Sequence, residues 1–147
     1  MSYSTIETAV VNVIKKNADF GAAGVTIAHD TKGLGKGLSR FCLVSYNSDK
    51  TEELSVKQEK RTWFLNVDVF VPWRGDLATL EGSIMTEFQK VKDELALYPR
   101  LDHCAGVLKA SLTQGMFPDV ITRAKGAWRG KRSILEVQEW VDPGRLE

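Results

Sequence analysis

Residues 61–98 read RTWFLNVDVFVPWRGDLATLEGSIMTEFQKVKDELALY, and this stretch decides the fold. Trp63, Leu65, Val67, Val69 and Val71 place apolar side chains on alternate positions, with Thr62, Asn66 and Asp68 between them. A period of two is that of a strand with one buried face. Pro72, Trp73, Arg74 and Gly75 break the pattern, and Asp76 stands where a helix N-cap belongs, its carboxylate suited to accept from the first free helical N–H groups. From there the period changes. Leu77, Leu80, Ile84, Phe88, Val91 and Leu95 recur at three- and four-residue steps toward Pro99, while Glu81, Glu87, Lys90, Lys92 and Glu94 fall mostly elsewhere, which predicts an amphipathic helix. Burial of one apolar stripe does not offset the entropy of ordering such a helix, so it needs a sheet to lie on. The strand just before it is the nearest candidate.

Working outward, Ser4-Thr-Ile-Glu7 matches a capping box, with the serine capping a first helix and Glu7 reaching back to it. Ile6, Ala9, Val10, Val13 and Ile14 supply that helix's apolar stripe, and Lys15 and Lys16 suit its negative end. Gly21 and Gly24 release the chain into an edge strand over Val25 to Ala28. Asp30 to Gly37, DTKGLGKG, carries no period and reads as a loop. Phe41 to Tyr46 resumes strand character, and Asn47 to Glu59 reads as a polar, charged connection. Beyond the long helix, Leu101 to Gly106 is a linker, Val107 to Leu112 a strand and Gln114 to Gly126 irregular. A last strand from about Trp128 to Val141 alternates Leu135, Val137 and Val141 with Glu136, Gln138 and Trp140. Strands that follow one another without intervening helices disfavour a parallel doubly wound sheet. The expected fold is a single α+β domain over residues 1–147, with a mainly antiparallel sheet of four to five strands and two helices on one face.

The totals exclude little. The 147 residues suit one domain with its own core, and 43% hydrophobic with 27% charged residues is ordinary for a globular chain. A net charge of +1 demands neither nucleic acid nor an acidic partner, and no apolar run reaches the length of a membrane span, so no membrane association is expected. The polar start, MSYST, reads as that of a protein made in the cytoplasm and not exported. Cys42 and Cys104 are too few for a disulfide framework and are expected as free thiols.

No catalytic, cofactor or metal site assembles from the residue pattern. Gly35-Lys36 fails as a phosphate loop, because Asp30 stands where the first glycine belongs and Gly37 where the serine or threonine belongs. His29, His103, Cys42 and Cys104 include no locally spaced ligand pair. His103 beside Cys104 suggests a base next to a thiol, but neighbours on an extended chain diverge. Asp68 and Glu136 form paired carboxylates only if their strands lie side by side, and a solvated sheet face is the simpler reading. Arg123, Lys125, Arg129, Lys131 and Arg132 surround Trp128 without an acid. Three readings fit that segment: nucleic-acid binding, an acidic protein partner, or a strand edge guarded by charge. Trp73 in its turn and Trp128 in the basic segment are poorly placed for a core, and Trp with Arg is the usual currency of interfaces.

Taken together, the opening helix STIETAVVNVI, the strand and turn RTWFLNVDVFVPWRGD, the helix LATLEGSIMTEFQKVKDEL and the closing strand RSILEVQEW resemble the tail terminator proteins of long-tailed bacteriophages, also called minor tail or tail completion proteins. The resemblance is one of order and pattern over most of the chain. It implies a structural virion protein at the head-proximal end of the tail, acting as a homohexameric ring that ends tube polymerisation. Its partners would be copies of itself, the tail tube protein and the head completion or connector protein, with DNA only passing through the pore. Neither catalysis nor a cofactor is implied. On loop placement and charge, Lys32, Lys36, Arg40, Trp73, Arg74, Phe117, Arg123, Trp128, Arg129 and Arg132 are the expected contacts between subunits or with the tube. A head-tail joining protein, a tube subunit, a small enzyme and a small nucleic-acid-binding domain are the rival expectations.

Overall fold

The first helix, α1 (Tyr3–Ile14), is capped two residues earlier than expected. Ser2, not Ser4, is its N-cap: Ser2 is extended at ψ 157° and its hydroxyl accepts from the Thr5 N–H at 3.4 Å. Ser4 already lies inside the helix, so Glu7 is not free to reach back and instead turns into the protein with the buried stripe of Ile6, Val10, Val13 and Ile14. In this computed structural model the described residues are 2–21, 25–27, 41–55, 58–72, 77–116, 121–123 and 126–141. After α1 come a short turn of helix, α2 (Ala18–Gly21), and then β1 (Val25–Ile27), β2 (Phe41–Ser55), β3 (Gln58–Pro72), α3 (Leu77–Leu97), β4 (Val107–Met116), β5 (Ile121–Arg123) and β6 (Gly126–Val141).

The fold is the expected one, an α+β domain in which helices pack on a four-strand antiparallel sheet, ordered β2-β3-β6-β4. β1 adds a short parallel pairing at Cys42–Val44 of β2, and β5 pairs with the start of β6. The central strand β3 behaves as its period demands. Trp63, Leu65, Val67, Val69 and Val71 are buried on the helix side, against Ile6, Val10 and Ile14 of α1 and Leu80, Ile84, Phe88, Val91 and Leu95 of α3. Burying those five α3 side chains contributes on the order of 10 kcal/mol. The expected Asp76 cap and the Asp30–Gly37 loop lie outside the described residues.

Two segments expected to be irregular are strands. Residues 47–55 continue β2 and residues 58–59 open β3, paired from Ser48↔Phe64 to Ser55↔Gln58 with shifts at Tyr46/Ser48 and Glu53/Ser55. Because β2 is exposed on both faces from Tyr46 to Leu54, it has no apolar alternation to announce it. Within 114–126, β4 runs on to Met116, and β5 turns back on β6 through Ile121↔Trp128 and Arg123↔Gly126.

The linker after α3 is a built turn. Leu101, Asp102 and His103 are all left-handed, with φ of 52°, 59° and 62°, and Gly106 follows at 84°. Three such residues in a row cost about 1–2 kcal/mol each for side chains with a Cβ. Local bonds hold them there: Cys104 N–H donates to Arg100 O at 3.0 Å, Ala110 N–H to Pro99 O at 2.7 Å and Trp140 N–H to Gly106 O at 3.3 Å. Leu101 is buried in the main core, and Asp102 meets Lys16 from the end of α1 at 3.0 Å.

Candidate functional site

The sheet face opposite the helices carries a polar row that the alternation of β3 predicts, but it is not a solvated one. Asp68, Asn66 and Thr62 are buried. Register places Asp68 opposite Arg132 and Phe64 opposite Glu136, so the two carboxylates do not meet. Arg132 instead grips Asp68 with both arms, Nε to Oδ1 at 2.8 Å and Nη2 to Oδ2 at 3.0 Å. The hydrogen bonds that Arg132 donates to Asp68 push the guanidinium further up from its ordinary range, against a smaller opposing effect of burial. Asn66 accepts from Asn47 Nδ2 at 3.0 Å and donates to Ser45 Oγ at 3.4 Å. Phe41 stacks on Phe70 with ring centroids 4.7 Å apart, and the Phe70 ring lies over Gly130, where any Cβ would run into it. The row is a second, smaller core. Its carboxylate is already neutralised, which suits structure and not proton transfer.

The basic segment is divided by the same alternation. Arg129 pairs with Val71 and Lys131 with Val69 on the helix side, where Lys131 Nζ lies 5.0 Å from the Phe88 ring centroid. Arg132 points to the other face and is held by Asp68. These three residues therefore do not form one continuous cationic patch. Arg123 and Trp128 lie on β5 and β6 at the end of the sheet, with side chains outside the described set. Lys32, Lys36, Arg40, Trp73, Arg74 and Phe117 also lie outside the described residues.

The exposed tryptophan that the structure does describe is Trp140. It lines a hollow of about 360 Å³ with Arg100, His103 and Cys104 beneath the left-handed turn. His103 and Cys104 thus share one hollow, which their adjacency in sequence did not suggest. The thiol is nevertheless the wrong kind for a nucleophile: burial, and then the Glu139 carboxylate, push it up from its ordinary value. Glu139 is itself buried, accepting from Trp63 Nε1 at 3.0 Å. At the other end of α1, the Tyr3 hydroxyl and Glu7 Oε2 are buried without a well-formed hydrogen bond. Burial raises the Tyr3 phenol, and the nearby Glu7 carboxylate raises it further. Among the described residues, no group of three or more His, Cys, Asp and Glu side chains is placed to hold a metal ion, and no helix is long and apolar enough to cross a membrane.

The features with no internal use are the sheet's two edges. β1 covers β2 only from Cys42 to Val44, so among the described residues Ser45–Ser55 has no strand on its outer side. This edge exposes Tyr46 and Leu54 and carries Asp49, Lys50, Glu52 and Glu53, with the Tyr46 hydroxyl donating to Asp49 and Lys50 3.5 Å from Glu52. On the opposite side, β4 and β5 border β6 and no further described strand. Among the described residues, β4 and β5 carry Lys109 and Arg123 and no acid. The sequence alone hid these edges, because it gave the β2 segment as a connection.

No protein-family model matches this chain, and no curated protein is significantly similar to it.

Proposed function

We propose that this protein is a structural subunit of a phage tail, a terminator that caps the completed tail tube as a homohexameric ring and offers its other face to the head's connector. The observation that carries the reading is the order of elements that resembles that family, a capped helix, a long strand, a long helix and closing strands, joined to a sheet with both edges free among the described residues. A subunit that must meet like neighbours on two sides needs two such borders. The polar side chains Asp68, Arg132 and Glu139 are engaged in holding strands together, which fits a scaffold better than a reaction centre.

A tube subunit is the second reading, favoured by the same pair of edges, since they serve an open polymer as well as a closed ring. Light scattering across a wide concentration range separates the two. A terminator stops at a closed species of about 98 kDa, six chains of 16.4 kDa each. A tube subunit keeps growing as concentration rises. The decisive experiment adds the purified protein to polymerising tail-tube subunits of the same phage. Termination predicts tubes that stop lengthening and carry one extra ring at one end. Unchanged growth with no bound ring would overturn it.

A further inference from the structure

We infer that Trp140 and the cations around it form a nucleotide-binding site, with a base stacked on the indole and the phosphates held by Arg100, Lys60 and Lys109. The site lies within one chain, so it goes beyond the proposed ring and does not depend on it. Its floor is the hollow of about 360 Å³ under the left-handed turn. That size falls at the lower end of the roughly 300–1,000 Å³ of small-ligand sites. Leu108 gives the hollow an apolar wall, and Trp140, 46% exposed, gives it an aromatic one. Arg100 and His103 line both this hollow and a smaller one of about 130 Å³ beside it.

Sheet register brings in two more cations. Lys60 on β3 stands directly opposite Trp140, where cross-strand neighbours lie about 5 Å apart between Cβ atoms, and Lys109 on β4 stands opposite Gln138, one place along the same face. Among the described residues, the side chains of Lys60, Arg100, His103, Lys109 and Trp140 make no hydrogen bond or ion pair. The nearest described acids, by contrast, are engaged. Asp102 meets Lys16 at 3.0 Å, Glu52 meets Lys50 at 3.5 Å, Glu136 accepts from Gln138 Nε2 at 2.8 Å and Glu139 accepts from Trp63 Nε1 at 3.0 Å. What is left over is positive charge around one bare aromatic face.

That combination selects the chemistry of the ligand. An exposed indole offers stacking to a planar ring, and stacking of a base on an aromatic side chain is worth about tenfold or more in affinity. Three cations exceed what the single charge of a carboxylate neutralises, and they match the two or more charges of a phosphate ester, whose oxygens also suit the guanidinium fork of Arg100. A nucleotide joins both groups in one molecule. The turn gives the site a fixed frame: His103, at φ 62°, is held by the surrounding bonds in a conformation that side chains with a Cβ rarely take, and such backbone clusters at ligand sites.

The test titrates the full chain with ATP and, separately, with a short oligothymidylate, followed by calorimetry at low salt. ATP should bind with a Kd below about 1 mM. Trp140→Ala and Arg100→Gln should each weaken it about tenfold, and Trp140→Phe should keep most of the affinity because a ring remains. Lys92→Gln, at an exposed cation of α3 outside the hollow, should leave binding unchanged. An oligothymidylate that binds tighter than ATP, with the same losses at Trp140 and Arg100, assigns the site to a nucleic-acid strand; otherwise the ligand is a free nucleotide. Binding of neither probe at about 1 mM overturns the site. So does binding that Trp140→Ala and Arg100→Gln leave unchanged. Tripolyphosphate that binds as tightly as ATP overturns the stacking. Circular dichroism checks that each variant folds, and Arg100→Gln, at an exposed position, decides the matter should Trp140→Ala not fold.

Discussion

β2 is two strands joined end to end, and its halves obey different rules. From Phe41 to Val44 every side chain is buried, and the backbone is paired with β1 on one side and β3 on the other. From Tyr46 to Leu54 every side chain is exposed, and among the described residues only β3 pairs with it. The hydrogen-bonded ladder runs through both. Burial writes itself into a sequence as alternation, whereas pairing alone leaves no mark on side-chain type. The first half belongs to the fold, and the second is available for something outside it.

The sharpest test of that division is truncation in each half. Phe41→Ala removes a ring stacked on Phe70 in the buried half, and the expected loss is about 3–5 kcal/mol in urea unfolding. Thr51→Ala, in the exposed half, should stay within about 0.5 kcal/mol of the parent. Comparable losses at the two positions would mean that the distal half is packed after all. Gly130→Ala probes the same aromatic pair from beneath. Its Cβ would meet the Phe70 ring, with Val69 O 3.0 Å away, so the ring must move and about 1–3 kcal/mol should be lost. Combining Gly130→Ala with Phe70→Leu, which relieves the clash, should cost less than the two changes added separately.

The buried half should also respond to alkali. Burial, and then the Asp68 carboxylate, push the Cys42 thiol far above its ordinary value of 9.0. Below that value both folded and unfolded chains keep the proton, and the contribution to stability is intact. As pH rises past about 9 the unfolded chain loses the proton while the folded chain retains it, so stability falls by up to about 1.4 kcal/mol per pH unit for this group. Cys42→Ala should flatten that part of the stability profile when set against the parent. Tyr3, raised from 10.0, adds its own decline at higher pH in both proteins. An identical alkaline slope with and without Cys42 would show that its thiol titrates alike in the folded and unfolded chain.

Much of the fold was legible because burial made it so. The period of two from Trp63 to Val71 and the three-four steps from Leu80 to Leu95 are both buried between the sheet and the helices. Trp140 was legible too, since it shares the alternate positions of Glu136 and Gln138 and is exposed on their face. Other features depend on chain geometry that local pattern does not carry. Asp68 and Arg132 meet across 64 positions because of strand order and register. The left-handed turn at Leu101–His103 contains neither glycine nor asparagine, and bonds within the turn together with those from β4 and β6 hold it. Of the expected contact residues, Arg129 and Arg132 proved to face opposite sides of the sheet. A strict period of two applied to the basic segment would have separated them.

The smallest expected effect concerns where the chain enters the fold, and it tests local against tertiary control once more. A serine followed three residues later by glutamate satisfies the capping pattern at Ser4, yet Ser2 caps α1 because Glu7 is drawn into the buried stripe beside Tyr3. Ser2→Ala removes the oxygen that accepts the Thr5 N–H and should cost about 1 kcal/mol. Ser4→Ala replaces a side chain already inside the first turn, where alanine has the better helix propensity, so stability should hold or rise by a few tenths of a kcal/mol. The difference between the two unfolding midpoints is the measurement. A larger loss at Ser4 would restore the capping box and leave the burial of Glu7 without its explanation.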